Sequence, residues 1–514
     1  MNRRNRGALL ATLSLGLLGA AQPDWPQWGR DGSRNRVAPA HTSRSVPSTF
    51  SPGTMLDGED TVQMAEGSEG AKSLRWVAKL GSQSYGNPTV ADGRVFVGTN
   101  NASPRAPKYS GDYSMVMAFA DKTGEFLWQQ AVPKLGAGKV SDWEYLGVCS
   151  SPAVVDDVVY VVSSRGEVLA LDVHGQANGN QGFTDEAQYV AGPGKPPIPQ
   201  GDKDGDILWK YDMRKDLGVF PHNVTSSSVL VMGSRLVVAT SNGVDWSHKN
   251  VPAPFSPSLV VLDRKTGALL AEEAAGISER LLHAGWSSPA SARVGGQNWI
   301  IYGAGDGLLY AFEGEPSVDK EGLKVIRERW RVDMNPKNYR TRDGAPRPYG
   351  RRDGPSEIIA SPVVHDGLAC VAIGQDPEHG TGAGAVTCVK LSDGAIKWQN
   401  TSVGRSISTL AIANGVVFAA DLTGYLYAID FASGATLWKH DTGARLWSSP
   451  VVADGKVFIG NEDGTLLSLV AGREKKVLGE ITLHAPIYGS VVVAGDTLYV
   501  PTQSHLYAVR GERR

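Results

Sequence analysis

Residues able to do chemistry gather at a few places in this chain. Gln375-Asp376-Pro377-Glu378-His379-Gly380 sets two carboxylates and an imidazole, Asp376, Glu378 and His379, within four positions. Those oxygen and nitrogen donors suit a divalent cation, although a solvated polar loop has the same composition. Ser241-Asn242-Gly243-Val244-Asp245-Trp246 offers amide and carboxylate oxygens at Asn242 and Asp245. They could hold Ca²⁺ or a polar ligand, and an Asn-Gly turn closing a strand reads the same way. His222 in Phe-Pro-His-Asn and His283 in Leu-His-Ala-Gly-Trp each stand just before an apolar strand. Asp202, Asp204 and Asp206 have the spacing that opens a calcium loop, but Ile207 stands where that loop needs glycine and no glutamate occupies the twelfth position. No phosphate-binding loop, serine nucleophile elbow or metalloprotease helix is present in the sequence.

These groups are spaced by a repeat. Trp447-Ser-Ser-Pro-Val-Val-Ala-Asp-Gly-Lys-Val-Phe-Ile-Gly-Asn-Glu-Asp-Gly-Thr-Leu-Leu-Ser-Leu-Val470 has counterparts at 286–312 and 150–172. Each unit carries a strand after Ser-Pro, a turn, a second apolar strand, a Gly turn and a third strand. A fourth strand with Trp usually follows, as in Thr123-Gly124 then Trp128 and Ser433-Gly434 then Trp438. A four-stranded sheet of this kind cannot bury both faces alone, but it can when packed radially against similar sheets. The recurrent Trp128, Trp209, Trp398 and Trp438 then read as wedges between neighbours. First strands begin near Asn87, Ser151, Ser227, Ser288, Ser361, Ser408, Ser449 and Ser490, whereas the last repeat lacks a fourth strand. Leu74–Leu80 supplies a spare one. The expected fold is therefore all-β, an eight-bladed β-propeller of four-stranded antiparallel blades, closed by an N-terminal strand that completes the last blade. Closure of this kind removes open sheet edges. In a propeller the first strands converge on the central channel, which draws His222 and His283 toward the axis.

The remaining sequence bounds the setting. Arg3, Arg4 and Arg6 precede an apolar run over 8–18 and a small-residue stretch ending at Ala21, the pattern of an export signal cleaved near Ala21. This implies a periplasmic or secreted protein. Residues 22–73 read as a docked segment and linker, where trimming within 22–60 should cost less than losing 74–80, and 74–511 as the propeller. No later stretch is long and apolar enough for a membrane span. With a net charge of −2, nothing favours nucleic acid. Three cysteines form no disulfide framework. Cys370 and Cys388 lie in neighbouring strands and read either as a cross-strand pair or as two buried thiols.

The repeat pattern resembles the PQQ-like propeller superfamily, which contains quinoprotein alcohol dehydrogenases and BamB-like assembly factors. Asp-Trp-Pro-Gln-Trp-Gly-Arg-Asp-Gly from Asp24, together with the segments around Asn242, His283 and Gln375, is similar to exported PQQ-binding-like repeat proteins. The dehydrogenase branch would imply PQQ and Ca²⁺ at one end of the channel. Under it, Asn242 falls where a calcium-ligating Asn is expected, Asp245 lies beside it, and His283-Ala284-Gly285-Trp286 matches a His-Asp-x-Trp-Asp segment except at both aspartates. The adjacent cysteine pair of that branch is missing, as is a Cys-x-x-Cys-His heme motif. The BamB-like branch implies a protein-interaction scaffold. The favoured reading is an exported propeller that binds an envelope or extracellular protein, a glycan or a small ligand, with a divalent cation and PQQ left open. The alternative is a PQQ- and Ca-dependent alcohol or sugar dehydrogenase.

Overall fold

The computed structural model describes residues 24–40, 46–56, 62–63, 73–351, 354–378 and 382–511. The export-signal reading at 1–21 and the candidate ligand His379 fall outside these residues.

Eight four-stranded antiparallel blades surround a central channel. The first is built from Thr89–Ala91, Arg94–Asn100, Tyr113–Ala120 and Phe126–Pro133. Blades 2 to 7 occupy 153–212, 230–273, 290–333, 363–400, 411–441 and 451–482. The eighth takes three strands from 492–510 and its outermost from Leu74–Lys79. The closing register pairs Leu74 with Val509, Val77 with Tyr507 and Lys79 with His505. The ring closes through the strand expected from the sequence. Ser317–Val318 and Lys324–Ile326, an excursion from blade 4, extend the outer edge of blade 3, where Glu272 pairs in parallel with Val325.

The Gly turns and the fourth-strand Trp residues form one device. Trp76 Nε1 donates to the Asp121 carbonyl of blade 1 at 2.8 Å. Trp128 reaches Val173, Trp330 reaches Leu391, Trp398 reaches Phe431 and Trp438 reaches Gly472 in the same manner. Four of these indoles, those of Trp76, Trp128, Trp330 and Trp398, also lie against a turn glycine of the next blade. A Cβ at Gly124 would stand 2.6 Å from the Trp76 ring, and one at Gly434 would stand 2.6 Å from Trp398. The Thr-Gly…Trp pattern is therefore a lock between blades, with a satisfied indole N–H inside an apolar seam.

A second ring runs around the axis. Ser151 N donates to Ser228 Oγ, Ser228 N to Ser288 Oγ, Ser361 N to Thr409 Oγ1, Thr409 N to Ser449 Oγ and Ser449 N to Ser490 Oγ, all at 2.9–3.0 Å. Ser490 N then reaches Asn87 Oδ1, and Asn87 Nδ2 reaches Ser151 Oγ. These are the residues at the head of each first strand. Their hydroxyls satisfy backbone donors that have no ladder partner where the strands splay toward the channel.

Residues 24–38 belong to the stretch read from the sequence as a docked segment and linker. They cross one end of the channel and bond to the first strand of blade after blade. Trp25 pairs with Val90, Pro26 accepts from Val154, Gly32 from Ser291, Ser33 from Val364, and Arg36 from Val452. Asn35 exchanges two bonds with Ile412. Arg34 and Arg36 are fully buried at the hub. Arg34 donates to the Trp28, Val229 and Pro289 carbonyls, and Arg36 to those of Pro450 and Val491. Burial lowers both guanidinium pKa values to about 9, which leaves them charged at neutral pH. Carbonyl dipoles carry most of that charge, with Asp31 adding a favourable interaction at Arg34. The segment is a plug whose bonds span the ring.

Cys370 and Cys388 stand directly opposite in blade 5 and are joined by a disulfide. Cys149 is a free thiol.

Candidate functional site

With one end plugged, the channel becomes a blind cavity of about 410 Å³. Trp28 closes its floor and donates Nε1 to Ser361 Oγ at 2.9 Å. The hydroxyl ring forms a polar belt above it. The wall beyond the belt comes from the segments that lead into the first strands, and it is aromatic. Tyr85 and Tyr488 stack at 5.2 Å with planes 9° apart, and Trp447 meets Tyr488 edge-on at 5.3 Å. Trp143 from the 134–147 insertion and Trp286 complete the wall. Among the described residues, the charged ones lining it are Asp376 and Glu378, both acidic.

Three histidines meet beside Trp286. His222 leads into blade 3, His283 leads into blade 4, and His248 projects from the 243–257 insertion. One ligand-capable nitrogen from each lies within 4.8 Å of the others. The His222 and His283 ring centroids are 4.4 Å apart, and Trp286 stands edge-on to His283 at 4.9 Å. His222 Nδ1 contacts the Val244 carbonyl at 2.6 Å, which requires a proton on Nδ1 and leaves Nε2 as a lone-pair donor. Nε2 is buried and has no hydrogen-bond partner among the described residues. Burial, reinforced by neighbouring His283, lowers the His222 pKa to about 3, so this ring is neutral.

Behind His283 lies a polar relay. Its Nδ1 is 3.1 Å from Tyr349 Oη, and Tyr349 donates to Glu357 Oε1 at 2.9 Å. The Asp376 backbone N–H donates to the same Glu357 oxygen at 3.0 Å. Burial raises the Glu357 carboxyl to about 8. Tyr349 is held well above the usual phenol range by burial and by Glu357.

The sequence candidates divide. His283, Trp286 and Asp376 are brought together here. Glu378 is exposed at the cavity rim, its N–H bonded to Asp376 Oδ1. Asn242 is buried with its side chain used internally: Oδ1 accepts from Phe220 N, and Nδ2 donates to Ala253 O and Ser278 Oγ. Asp245 is turned outward, accepting from Ser247 and Asn250 within its own loop. Asp204 is bonded by Tyr109, Lys108 and Gly201, and Asp206 by Gln181, so these aspartates tie insertions together. His248, Tyr349 and Glu357 were not singled out by the sequence. Glu357 had a signal, because Glu-Ile-Ile-Ala-Ser-Pro puts it before a Ser-Pro strand head as His283 is. His248 and Tyr349 lie in long insertions without a spacing rule.

Comparison with known proteins now adds a family. The sequence family described as outer membrane protein assembly factor BamB matches residues 26–193 and 327–449, more than half of the chain. The chain belongs to this PQQ-like propeller family. No curated protein matches it. Among solved structures, BamB from Moraxella catarrhalis aligns with a TM-score of 0.53 at 13% identity, covering 86% of this chain and 98% of that one. Quinohemoprotein alcohol dehydrogenase from Comamonas testosteroni aligns at 0.60 and 12%, covering 97% and 82%. A europium-containing methanol dehydrogenase aligns at 0.59 and 12%, covering 95% and 98%. At these identities the likeness establishes the propeller fold.

The calcium and quinone arrangement implied by the dehydrogenase resemblance does not fit the residues present. Asn242 already uses its amide internally, and Asp245 faces its own loop. Ala284 and Ser287 replace the two aspartates, and Ser287 Oγ bonds the Ala360 carbonyl. The disulfide joins two strands inside blade 5, with both cysteines fully buried.

Proposed function

We propose that this protein is an exported binding propeller that takes a small, neutral, ring-bearing ligand of the glycan class into the blind axial cavity. The observation that carries the reading is the combination of a plugged channel, a hydroxyl belt and a stacked aromatic wall. A concave cavity of this size, lined by polar and apolar groups in nearly equal share, suits a small molecule that has both apolar faces and hydroxyls. Aromatic faces receive the C–H faces of a ring, and the Ser, Thr and Asn side chains address its hydroxyls. With Asp376 and Glu378 as the charged lining residues among those described, anionic ligands are disfavoured. The export pattern at 1–21 supports a periplasmic or secreted setting.

The test is calorimetric titration of the mature protein with a panel of neutral mono- and oligosaccharides, with PQQ plus Ca²⁺ as a separate arm. Saccharide binding that weakens at least ~10-fold, about 1.4 kcal/mol, in Tyr488→Ala supports the reading. Stoichiometric PQQ binding without saccharide binding would replace it with the dehydrogenase alternative. A second reading, docking of an envelope protein, draws on Trp246 and Phe255, which are 68% and 89% exposed in one insertion. Large exposed apolar side chains on one loop suit a protein interface. Substituting both with Ser should abolish such a complex in crosslinking from envelope extracts.

A further inference from the structure

The oxygen-rich cation loop suggested by the sequence has a different neighbour in the fold. We propose that His222, His248 and His283 form a binding site for one divalent transition-metal ion of the zinc class. The donor set decides the class. Imidazole nitrogens suit Zn²⁺, Co²⁺, Ni²⁺ and Cu²⁺, whereas Ca²⁺ and Mg²⁺ take oxygen ligands.

Geometry carries the assignment. Three ligand nitrogens from three separate segments lie within 4.8 Å of one another. Tetrahedral zinc at about 2.0–2.1 Å from nitrogen needs donor separations of about 3.3 Å, so the widest pair must close by at most roughly 1.5 Å. His248 can supply that movement, because it sits half-exposed on the 243–257 insertion while His222 and His283 are fixed at strand heads. His222 is already in the ligand tautomer, with Nδ1 on the Val244 carbonyl and a buried Nε2 that no described residue partners. A buried acceptor of this kind is costly unless something fills its place.

The outer shell points the same way. Metal-bound histidines characteristically give their second nitrogen to a carbonyl or a carboxylate, which fixes the ring and raises its basicity. Val244 does this for His222. For His283 the chain runs through Tyr349 Oη at 3.1 Å to Glu357 Oε1 at 2.9 Å. Asp376 acts electrostatically on His222, adding negative charge beside the cluster. An ion here would tie the approach to blade 3, the approach to blade 4 and the 243–257 insertion together. Three protein ligands would also leave a coordination position open beside Trp286. The site stands independently of the saccharide reading, since none of its three ligands lines the cavity.

The experiment uses tag-free, full-length mature protein stripped with a chelator and titrated with Zn²⁺, and with Co²⁺ for its visible ligand-field bands. One equivalent of Zn²⁺ should bind and raise the melting temperature. Co²⁺ should give the intense bands of a low-coordinate site. A hundredfold excess of Ca²⁺ should displace neither. His248→Ala, on a half-exposed loop position, should fold normally and weaken Zn²⁺ at least ~100-fold, Tyr349→Phe should weaken it ~10-fold, and His174→Ala should leave it unchanged. Absence of stoichiometric Zn²⁺ binding would overturn the proposal. So would Zn²⁺ affinity that survives both His248→Ala and His222→Ala, or displacement by Ca²⁺. Loss of saccharide binding alone would leave it standing.

Discussion

Gly124 and Gly455 share a backbone conformation, both at φ +71°, yet only one of them meets a tryptophan. This gives a controlled test of the interblade lock. Alanine at either position should cost about 1 kcal/mol for the left-handed conformation. At Gly455 nothing lies within 4 Å of the new Cβ, so the cost should end there. At Gly124 the Cβ would stand 2.6–2.8 Å from three atoms of the Trp76 ring, which must shift or tilt. Overpacking of that kind adds roughly 1–3 kcal/mol. Moving Trp76 would also lengthen its 2.8 Å bond to Asp121. Gly124→Ala should therefore destabilise by about 2–4 kcal/mol, against about 1 for Gly455→Ala. Urea unfolding followed by fluorescence reads both. The double variant Gly124→Ala/Trp76→Ala should be less destabilised than the sum of its parts, because removing the indole removes the clash. Equal effects at the two glycines, or strict additivity in the double variant, would refute the lock.

Three further outcomes follow from the same structure. Arg36→Ala should destabilise by about 2–4 kcal/mol in thermal or urea unfolding, because it empties a buried site and strands the Pro450 and Val491 carbonyls. Deleting 24–38 should lower the melting temperature further. Cys149 is half-buried in the cavity wall, and loss of solvation there pushes its thiol up to about 12, so it is almost wholly protonated at pH 8 and should react with Ellman's reagent more slowly in the native than in the unfolded protein. Unfolding without reductant should expose one thiol, and unfolding with reductant three; a native thiol as fast as the unfolded one would contradict the raised thiol.

Legibility differed between fold and site for physical reasons. The ring was readable because propeller blades repeat, and a missing fourth strand after Val509 together with a spare one at Leu74 leaves a single way to close it. Ser, Thr or Asn at the strand heads, followed by Pro in four Ser-Pro cases, was visible as a pattern, but its role as an axial hydrogen-bond ring depends on eight segments converging in space. The segment read as docked, but its role as a plug was not legible, because Arg34 and Arg36 look like surface residues in sequence and only the fold shows them surrounded by carbonyls. His283 and Asp376 were flagged by spacing and proximity to strand heads. Their partners His248, Tyr349 and Glu357 come from other blades and insertions, and local sequence carries no record of that convergence. Asn242 misled in the opposite sense, since an Asn-Gly at a strand end was the bonded corner of a turn network.

The central claim is that the plugged channel holds a ligand against the Tyr85–Tyr488–Trp447 wall. Native mass spectrometry of protein isolated gently from the envelope of the producing cell tests it most directly. The account predicts a small-molecule adduct that is released on denaturation and absent from folded Tyr488→Ala. A ligand-free mass for the wild type, with no saccharide of the panel restoring an adduct, would contradict it.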